Sequence, residues 1–101
     1  EKRFVALIKP QFEAPKNLVG PRGVVRDPAV HRQVIEGVLE CVDSLGFQAE
    51  GLDYSPITGP EGNVEFLLHI APRGGSTRLV DSERILEVTS AAYDKFMKSA
   101  E

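Results

Sequence analysis

Five consecutive apolar residues, Phe4-Val5-Ala6-Leu7-Ile8, followed at once by Lys9-Pro10, constrain this chain more than any other stretch of it. A strand with one wet face alternates apolar and polar residues. An unbroken run predicts a strand covered on both faces, as in a parallel sheet between helical layers. Pro10 has no amide hydrogen to give to a ladder, so the strand is expected to stop near Lys9. The starting expectation is therefore an α/β architecture.

The rest of the pattern agrees. Residues 11–26 carry Pro15, Gly20, Pro21 and Gly23 with the cations Lys16, Arg22 and Arg26, too long a stretch for a simple turn. A helix then starts: Asp27 can accept hydrogen bonds from free amides, and Pro28 sits where no amide is needed. Val30, Val34, Val38 and Leu45, with Ile35, Leu39 and Val42 beside them, form one broad apolar face, and Gly46 suits a left-handed stop. Residues 47–54 read as a second strand, and 57–63 as a cluster of turn formers. Residues 64–70 read as a third strand, paired antiparallel to the second because the link is short. After a loop over 72–76, Asp81 or Ser82 caps a last helix with the stripe Ile85, Val88, Ala92 and Phe96. The order is strand, loop, helix, strand, strand, helix, and the first two strands joined through a helix form a right-handed crossover by default.

Composition sets the bounds. The 101 residues suit one compact domain, and 42% hydrophobic with 27% charged residues argues against disorder. A net charge of -3 gives no bulk attraction to nucleic acid, so any such contact needs a local basic patch. Cys41 stands alone, forms no internal disulfide and fits a reducing cytosol. It falls near the buried side of its helix and reads as a small core residue. No apolar run reaches the roughly 18–20 residues of a membrane-spanning helix.

Two residues stand where chemistry can occur. Lys9 ends a strand, and open α/β sheets bind ligands at the carboxyl ends of their parallel strands. The plainer reading is a lysine reaching into solvent. Glu65 interrupts an otherwise apolar strand and needs a partner, because burying an unpaired charge is costly. An ion pair or an open strand face would explain it equally well. His31 and His69 lack metal-site spacing and read as an exposed helix histidine and a strand-end histidine. Gly20-Pro21-Arg22-Gly23 and Gly59-Pro60-Glu61-Gly62 precede no helix in the manner of a dinucleotide loop. Lys16, Arg22 and Arg26 are candidate phosphate contacts, although solvated loop charges are the commoner outcome.

Three ordered motifs carry a resemblance: Leu7-Ile8-Lys9-Pro10-Gln11-Phe12-Glu13, Gly23-Val24-Val25-Arg26-Asp27-Pro28, and Ser55-Pro56-Ile57-Thr58-Gly59-Pro60-Glu61-Gly62-Asn63-Val64-Glu65-Phe66-Leu67-Leu68. Over roughly residues 3–71 the chain resembles the hemolysin A (TlyA) family, ribosomal RNA ribose methyltransferases with an FtsJ-like catalytic domain. The resemblance implies the carboxy-terminal half of a Rossmann-like domain, a mixed sheet with an antiparallel last strand, and S-adenosylmethionine as methyl donor. It implies cytoplasmic action on ribosomal RNA. Lys9 matches the second lysine, and Glu65 the glutamate, of a lysine-aspartate-lysine-glutamate tetrad. A lysine serving as base there would need a further cation beside it.

The family's other lysine, its aspartate, its glycine-rich cofactor loop and its RNA-binding domain are expected upstream of Glu1. The chain is accordingly expected to be a fragment, inactive alone. Strand 64–70 is expected between strands 3–9 and 47–54, leaving the first strand an open edge that invites self-association. A non-catalytic RNA-binding or interaction module with the same fold is the alternative. A membrane-lytic role follows only from the family's historical name, and no strongly basic amphipathic segment supports it.

Overall fold

The computed structural model describes residues 3–74 and 79–98. Three strands, β1 (Phe4–Ile8), β2 (Phe47–Tyr54) and β3 (Phe66–Pro72), form a sheet of order β1-β3-β2, with β3 antiparallel to both neighbours. β1 and β2 thus run the same way with β3 between them, as expected, and β1 lies at an edge. β3 begins two residues later than its apolar pattern suggests, because Asn63 and Glu65 still belong to the connection from β2. The expected 72–76 loop falls partly on residues outside the described ones.

Helix α1 (Pro10–Glu13) and two 3₁₀ turns, Lys16–Leu18 and Pro21–Gly23, give the expected long loop an ordered course. Helix α2 (Pro28–Ser44) starts as read from the sequence: Asp27 Oδ1 accepts from the Ala29 amide at 2.8 Å, and Pro28 follows the cap. Gly46, at φ 84°, turns the chain into β2. Helix α3 (Ser82–Phe96) is capped by Asp81, which accepts from the Arg84 amide at 2.9 Å. Ile85, Val88 and Ala92 point into the core, and Phe96 meets the Tyr54 ring edge-on at 5.8 Å.

Residues facing one another across strands share a face. Ala6, Ile8, Leu68 and Phe66 lie on the face that packs against Val34 and Ile35 of α2 and Ile85 and Val88 of α3. Val5 and Leu7 lie on the other face and remain 62% and 46% exposed. The two-sided cover expected of β1 is therefore not met within this chain, since both long helices pack on the same side.

Three side chains on α2 or at its end differ from expectation. Leu45 caps the helix from outside the core and is 68% exposed. Cys41 is exposed, not a core residue. α1 and Pro15 flank that side of α2, but an open groove lined by Val34, Val38, Cys41 and Val42 remains.

His31, expected at the surface, is fully buried. Its Nε2 lies 2.8 Å from the Val25 carbonyl, and its ring meets Phe66 edge-on at 5.4 Å. A carbonyl only accepts, so Nε2 carries the proton. Nδ1 is buried without a partner. Protonating it would place a charge in an apolar setting with no acceptor.

Burial therefore lowers the His31 pKa from its ordinary 6.5, outweighing the raising effects of the Val25 carbonyl and Asp27. In the unfolded chain the ring takes up a proton as pH falls through about 6.5, whereas the folded protein resists it. His31 thus leaves stability intact above that pH and erodes it below. Urea midpoints measured from pH 7.5 to 5.0 should fall on acidification, and the fall should be shallower in His31→Gln. Equal slopes in the two proteins would contradict the assignment.

Candidate functional site

The site is built where β1 ends and β3 begins. Ile8 faces Phe66 in the last ladder pair of β1 and β3, so the next residue outward on each strand is Lys9 and Glu65. Pro10 ends β1 and opens α1, which leaves Lys9 as the residue preceding that helix, half-buried at the sheet's end. The strand order thus carries the amine and the acid to the same end of the sheet.

Glu65 is 7% exposed. Its backbone carbonyl accepts from the Ser55 amide at 2.8 Å, holding it beside the end of β2. Its Oε2 accepts a hydrogen bond of 2.9 Å from Gln11 Nε2, two residues beyond Lys9. Facing a carboxylate, the Gln11 amide must present its nitrogen, and Gln11 Oε1 is left buried with no partner. The acid therefore takes its bond from Gln11 and not from Lys9, whose amine engages none of the described residues. Lys9 and Glu65 thus share one end of the sheet without forming an ion pair with each other.

Beneath the carboxylate lies Gly59. A Cβ added there would run into Glu65, 2.7 Å from its carboxyl carbon, so no larger residue fits without displacing the acid. Asn63, 2% exposed, ties this turn to the Gly20–Val25 segment: its Oδ1 accepts from the Val25 amide at 3.0 Å, and its Nδ2 donates to Gly23 at 2.9 Å and Pro60 at 3.0 Å. Gln11, Gly59 and Asn63 stand in the motifs that carry the resemblance, but no supporting role was read for them from the sequence. A turn-rich cluster was legible at 57–63, but nothing in it says that one amide spans to a segment forty residues away. Gln11 lies in the first of those motifs, but no spacing there points to Glu65, fifty-four residues on.

The three candidate phosphate contacts are all exposed. Lys16 opens the first 3₁₀ turn. Arg22 stands at the tip of the second with φ 62°, a left-handed conformation uncommon outside glycine. Arg26 donates to the Met97 carbonyl at 3.3 Å, so it also anchors the end of α3. His69 lies against Gly51 on β2. No group of three potential metal ligands occurs among the described residues. No helix among them is long and apolar enough to cross a membrane.

Comparison with known proteins gives this geometry a context. The model of the FtsJ-like methyltransferase family matches residues 1–71, which include both Lys9 and Glu65. The chain is 42% identical over 91 residues to YqxC of Bacillus subtilis, an alignment covering 88% of this chain and 32% of that protein. It is 45% identical over 65 residues to the 16S/23S rRNA (cytidine-2'-O)-methyltransferase TlyA of Mycobacterium tuberculosis, covering 64% of this chain and 24% of TlyA. A solved structure of a hemolysin-named protein from Streptococcus thermophilus superimposes with a TM-score of 0.86 at 40% identity, covering 97% of this chain and 35% of that one. The chain thus spans about a third or less of the length of these relatives. With residues 1–71, well over half of its length, matched by that family's model, the chain belongs to the FtsJ-like methyltransferase family.

Proposed function

We propose that this chain forms part of a cytoplasmic enzyme that transfers a methyl group from S-adenosylmethionine to a ribose 2′-hydroxyl of ribosomal RNA. The observation that carries the reading is the meeting of Lys9 and Glu65 at one end of the sheet, inside the segment matched by the methyltransferase family. A ribose hydroxyl is a poor nucleophile until a nearby group accepts or orients its proton. Lys9, at the sheet's rim and with no partner among the described residues, can meet such a hydroxyl. Glu65, held by Gln11 from one side and backed by Gly59, provides a fixed acceptor that orients the hydroxyl or the lysine.

When bound, S-adenosylmethionine would supply an electrophilic methyl on a sulfonium. The described residues do not offer a cradle for it, because both glycine turns lead into extended backbone instead of a helix N-terminus. No cofactor contact is therefore assigned to this chain. Lys16, Arg22 and Arg26 are the exposed cations that would meet RNA phosphates. A 101-residue piece spanning about a third of its relatives is expected to be inactive alone.

General-base assistance is worth about 10²–10⁴-fold, so Lys9→Ala in the full-length protein should lower methyl transfer to ribosomal RNA by that order without altering folding. Near-normal turnover would refute the role of Lys9. Gly59→Ala should reduce transfer much as Glu65→Gln does, because its methyl displaces the same carboxylate. Wild-type turnover in that variant would count against Glu65 acting from this seat.

The bare chain has a second expected property. The outer edge of β1 carries no proline or charge between Phe4 and Ile8, and Val5 is 62% exposed. Such an edge invites pairing with another copy. Sedimentation of the 101-residue chain should show association that rises with concentration and is weakened by Val5→Lys; a strict monomer at high concentration would contradict this.

A further inference from the structure

Two turns of one design meet beside Glu65. They are formed by Gly20-Pro21-Arg22-Gly23 and Gly59-Pro60-Glu61-Gly62. In each, the amide of the first glycine donates to the carbonyl four residues on, Gly20 to Val24 and Gly59 to Asn63, both at 2.8 Å. In each, the third residue is left-handed without being glycine, Arg22 at φ 62° and Glu61 at φ 58°. The closing glycines follow at φ 73° and 82°. Side chains other than glycine rarely adopt this conformation unless the surroundings enforce it.

Asn63 joins the two turns. The Gly23 and Pro60 carbonyls can only accept and the Val25 amide can only donate, so the orientation of the Asn63 amide is dictated by its partners. The task needs one acceptor and two donor hydrogens on a single short planar group. Aspartate lacks the donors, and an apolar residue would leave the buried Val25 amide and the part-buried Gly23 carbonyl without this partner, while the Pro60 carbonyl keeps the backbone amide of residue 63. Glu65 follows two residues later, its carboxylate resting on Gly59 of the second turn. The acid's position thus depends on backbone at both ends of one turn, and that turn is clamped to the first by Asn63.

We infer that Asn63 is a positioning residue for the Glu65 carboxylate, acting through the paired turns and not by contact with substrate. This rests on the reading of the full-length protein as a ribose methyltransferase that uses Glu65. A role in folding alone would cost stability without being linked to Glu65. A positioning role is linked to it.

A double-mutant cycle separates the two. Full-length wild type, Asn63→Asp, Glu65→Gln and the double variant are assayed for transfer of tritiated methyl from S-adenosylmethionine to isolated ribosomal subunits, with melting followed in parallel. Misplacing a reacting group by about 1 Å can cost on the order of 100-fold. Asn63→Asp should lower kcat by about 10- to 100-fold with KM for S-adenosylmethionine unchanged. In the Glu65→Gln background it should cost little more. An equal loss in both backgrounds, or full kcat in folded Asn63→Asp, would overturn the inference. Should Asn63→Asp melt below the assay temperature, Asn63→Ser takes its place in the same cycle and is read the same way. Unchanged turnover in Glu65→Gln alone would instead sink the underlying assignment of Glu65, an outcome distinct from failure of the Asn63 role.

Discussion

β3 has to run backwards between two strands that run together, and the rest of the site depends on that constraint. β1 and β2 point the same way, and β3 pairs antiparallel with both, with one register shift against β2 between Ala49 and Gly51. Reversing the central strand brings its beginning to the end of β1. Glu65, just before β3, therefore arrives beside the residues that follow Ile8. In an all-parallel arrangement the start of the central strand would lie at the opposite end of the sheet, and Lys9 and Glu65 would be separated by a strand's length.

Geometry of this kind needs support, because a carboxylate removed from water must be held and solvated by the protein. Gln11 supplies a hydrogen bond, and Gly59 leaves room. Both come from backbone that the sheet alone does not fix: the single turn of α1 and the connection from β2. Asn63 makes that connection continuous with the excursion between β1 and α2, so the loops around the acid form one hydrogen-bonded unit. The helices contribute from behind. α2 and α3 cover one face of the sheet and bury Ile8, Phe66 and Leu68, while the face bearing Val5 and Leu7 is left bare.

What was legible in the sequence was mostly periodicity and punctuation. The apolar run of β1, its stop at Pro10, the Asp27-Pro28 start of α2 and the left-handed Gly46 all have local causes, and each is found where it was expected. The position of β3 between β1 and β2 followed from the family resemblance rather than from pattern. Burial was harder to read. His31 lies on the inner arc of α2 next to Val30, yet a polar ring gives no hint that the Val25 carbonyl waits six residues back in the chain. Cys41 falls on nearly the same helical angle as Val34, but α1 and Pro15 leave an open groove there. Gln11 and Asn63 act across large sequence separations, where no spacing rule operates.

The central claim is that Lys9 and Glu65 serve one reacting hydroxyl. It is tested most directly by a crystal structure of the full-length protein with a substrate-length ribosomal RNA fragment and a non-reactive analogue of the methyl donor. The account predicts the target ribose at the end of β1, its 2′-hydroxyl within hydrogen-bonding reach of Lys9 Nζ and the Glu65 carboxylate on the same side of it. A ribose seated elsewhere, with either group turned away from it, would contradict the account.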